Sequence, residues 1–268
     1  MSKVYEHTDG SIFGLGCILG QPLKFSHRPY GSDEHTPMVP ENEWEQIAIA
    51  SNGDQPSAPI MNYIHDQNGY GMCNASATAS AMELENLKAT GDYDKLSAGD
   101  LYNRISGGSD NGSTLEDGLM EGRNGIASIS EVPYLEWRRR SAGTTRKNAQ
   151  VLEWYLASSF AECYSGVCRG FSLITGIMWY DNFDPDSRGR LPSRGRGQPG
   201  GHAIHGYKPG WIDGKPYIWH KNSWTTRYGL AGHMAIGREH YDGDIGGWWL
   251  VRLVTAPVTG DKLPTPVL

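Results

Sequence analysis

The chain has 268 residues, a net charge of −6 and 38% hydrophobic residues, including nine Trp and fourteen Tyr, enough to bury a core as one large domain or two lobes. The acidic balance argues against general nucleic-acid affinity, and no stretch approaches the ~18 apolar residues of a membrane helix. The four cysteines lack zinc-site spacing, so no metal or cofactor is expected. The first residues lack the apolar run of a signal peptide, so a soluble chain in a reducing compartment is expected, cytoplasmic or particle-associated.

Residues 1–37 form a polar, Gly-rich arm, read as a structural strap or docking segment. Pro-containing turns occupy 52–61. The stretch Gln67–Leu87 then organises the chain: a Gly-punctuated loop runs into Cys73, followed by a Pro-free and Gly-free run of Ala, Ser, Met, Leu and Glu. Good helix formers after a glycine loop place Cys73 at a helix N-terminus, where the dipole favours a thiolate. Ala77, Ala81, Leu84 and Leu87 fit helical spacing, which predicts one buried face. By itself, a Cys in an Ala-rich segment is also what a small buried hydrophobe looks like.

A second helix is expected over Leu96–Asn103 with Ser97 as its cap, and after the loop 106–113 a third from Thr114 to Arg123. Arg138–Arg140 reads as a solvated turn, and Gln150–Ala161 as an amphipathic helix. From Phe171 the pattern turns to strands: 171–180, 202–207, 217–221, 233–238 and 248–254, with Asp213-Gly214 as a hairpin signal. The linker 181–201 carries Arg188, Arg190, Arg194 and Arg196, either as a solvated loop or as a surface for acidic partners.

Several segments together resemble the papain-like (C1) cysteine peptidases. Gln67 stands six residues before Cys73, while His202 and Asn222 lie 129 and 149 residues beyond it, against the family's interval of about 130–150. Pro40–Trp44, Leu96–Leu101 and Lys221-Asn222-Ser223-Trp224 match further family segments in order. The resemblance covers roughly 38–255 and implies an α+β fold of two lobes. The helical lobe (about 60–160) would hold the central catalytic helix, the antiparallel, barrel-like β lobe would span about 165–255, and the site would lie in the cleft between them. Residues 256–268 would form a tail.

The resemblance also assigns roles. Cys73 is the nucleophile, His202 the base, Asn222 its orienter, and Gln67 an oxyanion-hole donor beside the Cys73 backbone N–H. Asn111-Gly112-Ser113 would pair with an extended substrate, with Ser in place of the family's last Gly. Leu115 and Gly176 or Ile177 would line an apolar pocket with Val251 near its floor. Gly201 precedes the base, and Trp224 would shield the Asn–His bond. Asn74 replaces the usual Trp after the nucleophile, Tyr70 replaces a disulfide cysteine, and Cys163 and Cys168 either pair or stay reduced. The arm matches no helical, charged inhibitory pro-segment.

A naive hairpin register centred on Asp213-Gly214 would set His205, not His202, opposite Asn222. His202 is preferred because Gly-His-Ala-Ile resembles the family's strand start. The expected activity is peptide-bond hydrolysis without cofactor, on a polypeptide substrate and with no nucleic-acid or membrane partner. A protein partner is expected through the arm or the Arg-rich loop. A peptidoglycan cross-peptide amidase, and an assembly protein of a bacterial or viral particle, are the competing readings.

Overall fold

In the computed structural model the described residues are 3–253, apart from 8, 33, 57–62, 92, 139–145, 148–151 and 244. An N-terminal hairpin pairs β1 (Lys3–Glu6) with β2 (Ile12–Leu15). Four helices follow: α1 (Trp44–Ala50), the long α2 (Cys73–Thr90), α3 (Ala98–Ile105) and α4 (Leu115–Gly122). Ser97 caps α3 by accepting from the Asp100 N–H, and Thr114 and Asp117 form a capping box on α4. Two short strands, β3 (Ile126–Ala127) and β4 (Arg146–Lys147), pair with each other.

The second half begins with β5 (Leu152–Leu156) and α5 (Phe160–Cys168). It continues through β6 (Ser172–Trp179), β7 (Gly200–Ile212), β8 (Lys215–Lys221), β9 (His233–Gly237), α6 (Arg238–Tyr241) and β10 (Ile245–Leu253). Six of these strands form one antiparallel sheet in the order β5-β10-β6-β7-β8-β9. This is an α+β fold. One buried cluster gathers α2, α3 and α4 with Trp137, and a second holds Trp44, Phe160, Tyr164, Trp179 and Trp224 on the sheet side.

The helix expected over 150–161 is not formed. Leu152–Leu156 is instead an edge strand paired with β10, and a helix begins only at Phe160, capped by Ser159. Trp154 and Tyr155 suit a strand, and the sheet edge supplies hydrogen bonds that a local reading cannot see. Gln150 and Val151 fall outside the described residues, as do Arg139, Arg140 and the expected tail 256–268.

Helix α2 also differs from its one-faced expectation. Every residue from Cys73 to Glu83 is buried, whereas Leu84 and Leu87 are only half-buried. It packs against α3 and α4 on one side and against β6, β7 and β10 on the other. Its Ala and Ser side chains let the neighbouring elements approach from all directions.

The hairpin register decides which histidine meets Asn222. Asp213 (φ 52°) and Gly214 (φ 74°) make the tight turn, and pairing runs regularly from Ile212–Lys215 to Lys208–Trp219. A bulge at Tyr207 then shifts the register, so His205 pairs with Lys221 rather than Asn222. His205 turns instead to α2, where its Nδ1 lies 2.9 Å from Ser80 Oγ.

Candidate active site

Cys73 opens α2 directly after the loop Gln67–Met72, and it is fully buried. Backbone N–H groups of Gly16, Ala203, Asn74 and Cys73 itself lie near its sulfur and favour the thiolate. Ala203 follows His202 in β7, so the strand start and the helix start meet at the thiol. His202 Nε2 lies 2.8 Å from Asn222 Oδ1. That oxygen also accepts from the Ser223 N–H at 2.8 Å, which fixes the orientation of the amide. An oxygen only accepts, so Nε2 carries the ring proton and Nδ1 keeps its lone pair. Nδ1 is buried without a hydrogen-bond partner. Trp224 stacks on His202 at 4.4 Å and covers this bond from water.

Ser223 has a role the sequence reading did not assign. Its hydroxyl donates to Gln67 Oε1, which turns Gln67 Nε2 toward the cleft. Neighbouring residues thus orient two side chains of the candidate site: Asn222 holds His202 and Ser223 holds Gln67.

The cleft is occupied by the chain's own arm. Gly14 O accepts from Gln67 Nε2 at 2.7 Å, and Gly14 N donates to Asn68 O at 3.0 Å. Ser113 N donates to Gly16 O at 2.9 Å, Ile18 N to Ser113 O at 3.0 Å, and Cys17 N to Gly201 O at 3.0 Å. Leu19 then lies in the pocket of Leu115, Gly176 and Gly201: a β-carbon on Gly176 would stand 2.6 Å from Leu19 Cδ2 and 3.0 Å from Leu115 Cδ1. Ile177 instead faces the other core cluster, while Val251 is buried in the cluster around α2. Gly247, a further neighbour of Leu115, was not anticipated.

Glycines make this passage possible. A β-carbon on Gly14 would lie 2.1 Å from Tyr70 O, on Gly16 2.1 Å from Gly71 O, on Gly112 2.0 Å from Gly16 O, and on Gly201 1.9 Å from Cys17 O. The ends of the arm are tied down separately. Tyr5 and Phe13, paired across the hairpin, both stack on Trp224 at 5.1 and 4.9 Å. Farther along, Glu116 accepts from Lys24 N at 2.8 Å and Phe25 N at 3.1 Å and meets His27 Nε2 at 2.6 Å.

Enclosure sets the charge state. Burial pushes the Cys73 thiol up despite the N–H groups around the sulfur, and burial draws His202 down to about 4 against the opposing pull of Asn222. With the arm in place the pair is therefore a neutral thiol and a neutral imidazole. The thiolate favoured by a helix N-terminus is therefore opposed here by burial. All four cysteines are free and buried. In the loop 181–201, Arg188 pairs with Asp213 and Arg190 with both Asp186 and Asp213, so neither guanidinium is an open acidic-partner site.

A family model for papain family cysteine proteases matches residues 51–246. The chain belongs to that family. Among solved structures, xylellain, a cysteine protease from Xylella fastidiosa, is similar at TM-score 0.70 and 18% identity, covering 95% of this chain and 99% of its own. Procathepsin B S9 from Trypanosoma congolense is similar at TM-score 0.66 and 19% identity over 89% and 86% of the two chains. The bromelain protease of Ananas comosus, solved with the E64 inhibitor, follows at 0.55 and 18% over 76% and 97%. No curated protein matches the sequence.

Beneath the site of this papain-family protease lies a buried charge network that the sequence reading also missed. Glu83, three turns along α2, accepts from Leu96 N at 2.9 Å and Tyr93 Oη at 3.0 Å, and meets His65 at 3.2 Å and Lys221 at 3.6 Å. Lys221 adjoins Asn222, so the network supports the strand end from which Asn222 reaches His202. Burial raises the Glu83 carboxyl, but His65 and Lys221 outweigh it and hold it below its ordinary value.

Such a carboxylate stabilises the fold above its ordinary range and loses that contribution as pH falls through its lowered value. Glu83→Gln should therefore cost about 3–5 kcal/mol at neutral pH by chemical denaturation. The gap between variant and wild type should close on acidification, and a gap independent of pH would contradict the assignment.

Proposed function

We propose that this papain-family protease is an endopeptidase that cleaves extended peptides through a thioacyl-enzyme formed on Cys73. The observation carrying this reading is the His202 ring, fixed by Asn222 with its Nδ1 left without a hydrogen-bond partner, on the strand whose next residue, Ala203, adjoins the Cys73 sulfur. In that arrangement His202 takes the thiol proton, the sulfur attacks the carbonyl carbon, and His202 returns the proton to the departing amine. Gln67 Nε2 and the Cys73 N–H receive the developing oxyanion. Water then attacks the thioester and releases the acid.

The arm supports the substrate assignment, because it uses each subsite in turn: Gln67, Ser113, Gly201 and the Leu115–Gly176 pocket. A leucine-sized apolar side chain is accordingly the expected preference in that pocket. The arm itself presents the Gly16 N–H to the sulfur, and its Gly14 and Gly16 carbonyls are engaged by Gln67 and Ser113. With those carbonyl groups held by Gln67 and Ser113, the arm acts in this reading as an inhibitor lying along the subsites. Procathepsin B, similar in fold, is itself a proform by name.

The test is labelling of the full chain by an irreversible peptidyl epoxide, followed by peptide mapping. Modification confined to Cys73 is the expected result. Labelling spread over several cysteines, or none at Cys73 under conditions that open the arm, would refute the reading.

A further inference from the structure

Two departures from the family pattern, Asn74 after the nucleophile and Ser113 on the chain-pairing segment, meet each other in the fold. Asn74 Nδ2 donates to Ser113 Oγ at 3.0 Å and to Thr114 O at 2.6 Å. The second bond fixes the amide, because a carbonyl can only accept. Both side chains are buried, Asn74 completely. Ser113 is the residue whose N–H and C=O both pair with the chain in the cleft.

The surrounding packing is cut to this side chain. A β-carbon on Gly118 of α4 would lie 2.8 Å from each of Asn74 Oδ1, Asn74 Nδ2 and Thr78 Oγ1, and one on Gly122 would lie 3.1 Å from Thr78 Cγ2. Asn74 and Thr78 are one turn apart on α2, and Gly118 and Gly122 one turn apart on α4. The two helices close on each other at small residues, and a bulky ring at 74 would collide with the α4 backbone. Among the described residues, the hydrogen bonds from the start of α2 to the pairing segment come from the amide of Asn74.

We propose that Asn74 is a positioning residue for substrate binding: it fixes the Ser113 edge relative to the Cys73 thiol. This rests on the peptidase reading above. An extended chain pairs with Ser113 while its carbonyl must reach Cys73 and Gln67 together. The two anchors sit on different elements, and Asn74, adjacent to Cys73, ties one to the other. Without that tie the edge can drift by the fraction of an ångström that separates productive from unproductive placement.

The experiment compares two irreversible reagents on the full-length protein: iodoacetamide, which needs only the thiol, and a peptidyl epoxide, which must also pair with the edge. Both require the arm to open, and both respond to thiol acidity. The ratio of their second-order rates at Cys73 therefore cancels both effects and isolates edge pairing. Asn74→Asp, which sets an anion against the Thr114 carbonyl, and the neutral Asn74→Ala should each lower the epoxide-to-iodoacetamide ratio about tenfold. Ser113→Ala removes one of the two bonds and should lower it less. Thr78→Ala, in the same helix contact but not bonded to the edge, should lower the melting temperature and hold the ratio within about twofold.

If Asn74→Asp fails to fold, Asn74→Ala and Ser113→Ala carry the test. A ratio unchanged in these variants, with wild type labelled by both reagents, overturns the positioning role alone. Wild type labelled at Cys73 by iodoacetamide but never by the epoxide overturns the peptidase reading, and the positioning role with it.

Discussion

Gly16→Ala should open the cleft. Its β-carbon would fall 2.1 Å from Gly71 O and 2.4 Å from Gly71 Cα, both backbone atoms that cannot swing aside. The arm must then lift at its centre, although Tyr5, Phe13 and Glu116 still hold its two ends. Strain of roughly 3 kcal/mol confined to the closed state raises the open population, and with it Cys73 alkylation by iodoacetamide, by about 10²-fold.

The pH profile should change with the rate. In the covered state burial keeps the thiol protonated and His202 neutral. Once water enters, the helix terminus and the imidazolium favour the thiolate, so the opened variant should react at mildly acidic pH. Cys17 rides on the arm and becomes accessible with it, whereas Cys163 and Cys168, buried in α5, should stay slow. An alkylation rate equal to wild type would show that the arm does not limit access to Cys73.

In that opened background, His202→Ala should lower peptide turnover by at least about 10²–10⁴. The substitution removes the proton acceptor and the thiolate's partner together, and Cys73 alkylation should move to the pH profile of an ordinary thiol. His205→Ala breaks the hydrogen bond with Ser80, on the α2 side of the strand, and the ring contact with Tyr207, and should affect stability rather than turnover. Loss of turnover in His205→Ala with retention in His202→Ala would mean that the bulge at Tyr207 is absent in solution and the hairpin runs in the unshifted register.

The family resemblance was legible without a structure in the ordered intervals from Gln67 through Cys73 and His202 to Asn222, and the family model matches residues 51–246. Local signals were equally readable. Ser97 caps its helix where a hydroxyl before a helix-forming run predicts, the next helix begins at the expected place with Thr114 as its cap, and Asp213-Gly214 turns the hairpin with both residues at positive φ. Each of these depends on neighbours within a few positions along the chain.

Other features depend on distant partners. Leu152–Leu156 is a strand because β10, about a hundred residues on, offers it an edge. Glu83 is tolerated inside α2 because His65 and Lys221 come from elsewhere to neutralise it. A strap or docking segment was read from residues 1–37, but its path across the site was hidden for the same reason. Gly14 and Gly16 look like ordinary loop glycines until they are stacked on Tyr70 and Gly71, more than fifty positions away. Local propensity is written in a residue and its immediate neighbours. A contact that needs the absence of a side chain on two remote segments at once exists only after the chain has folded them together.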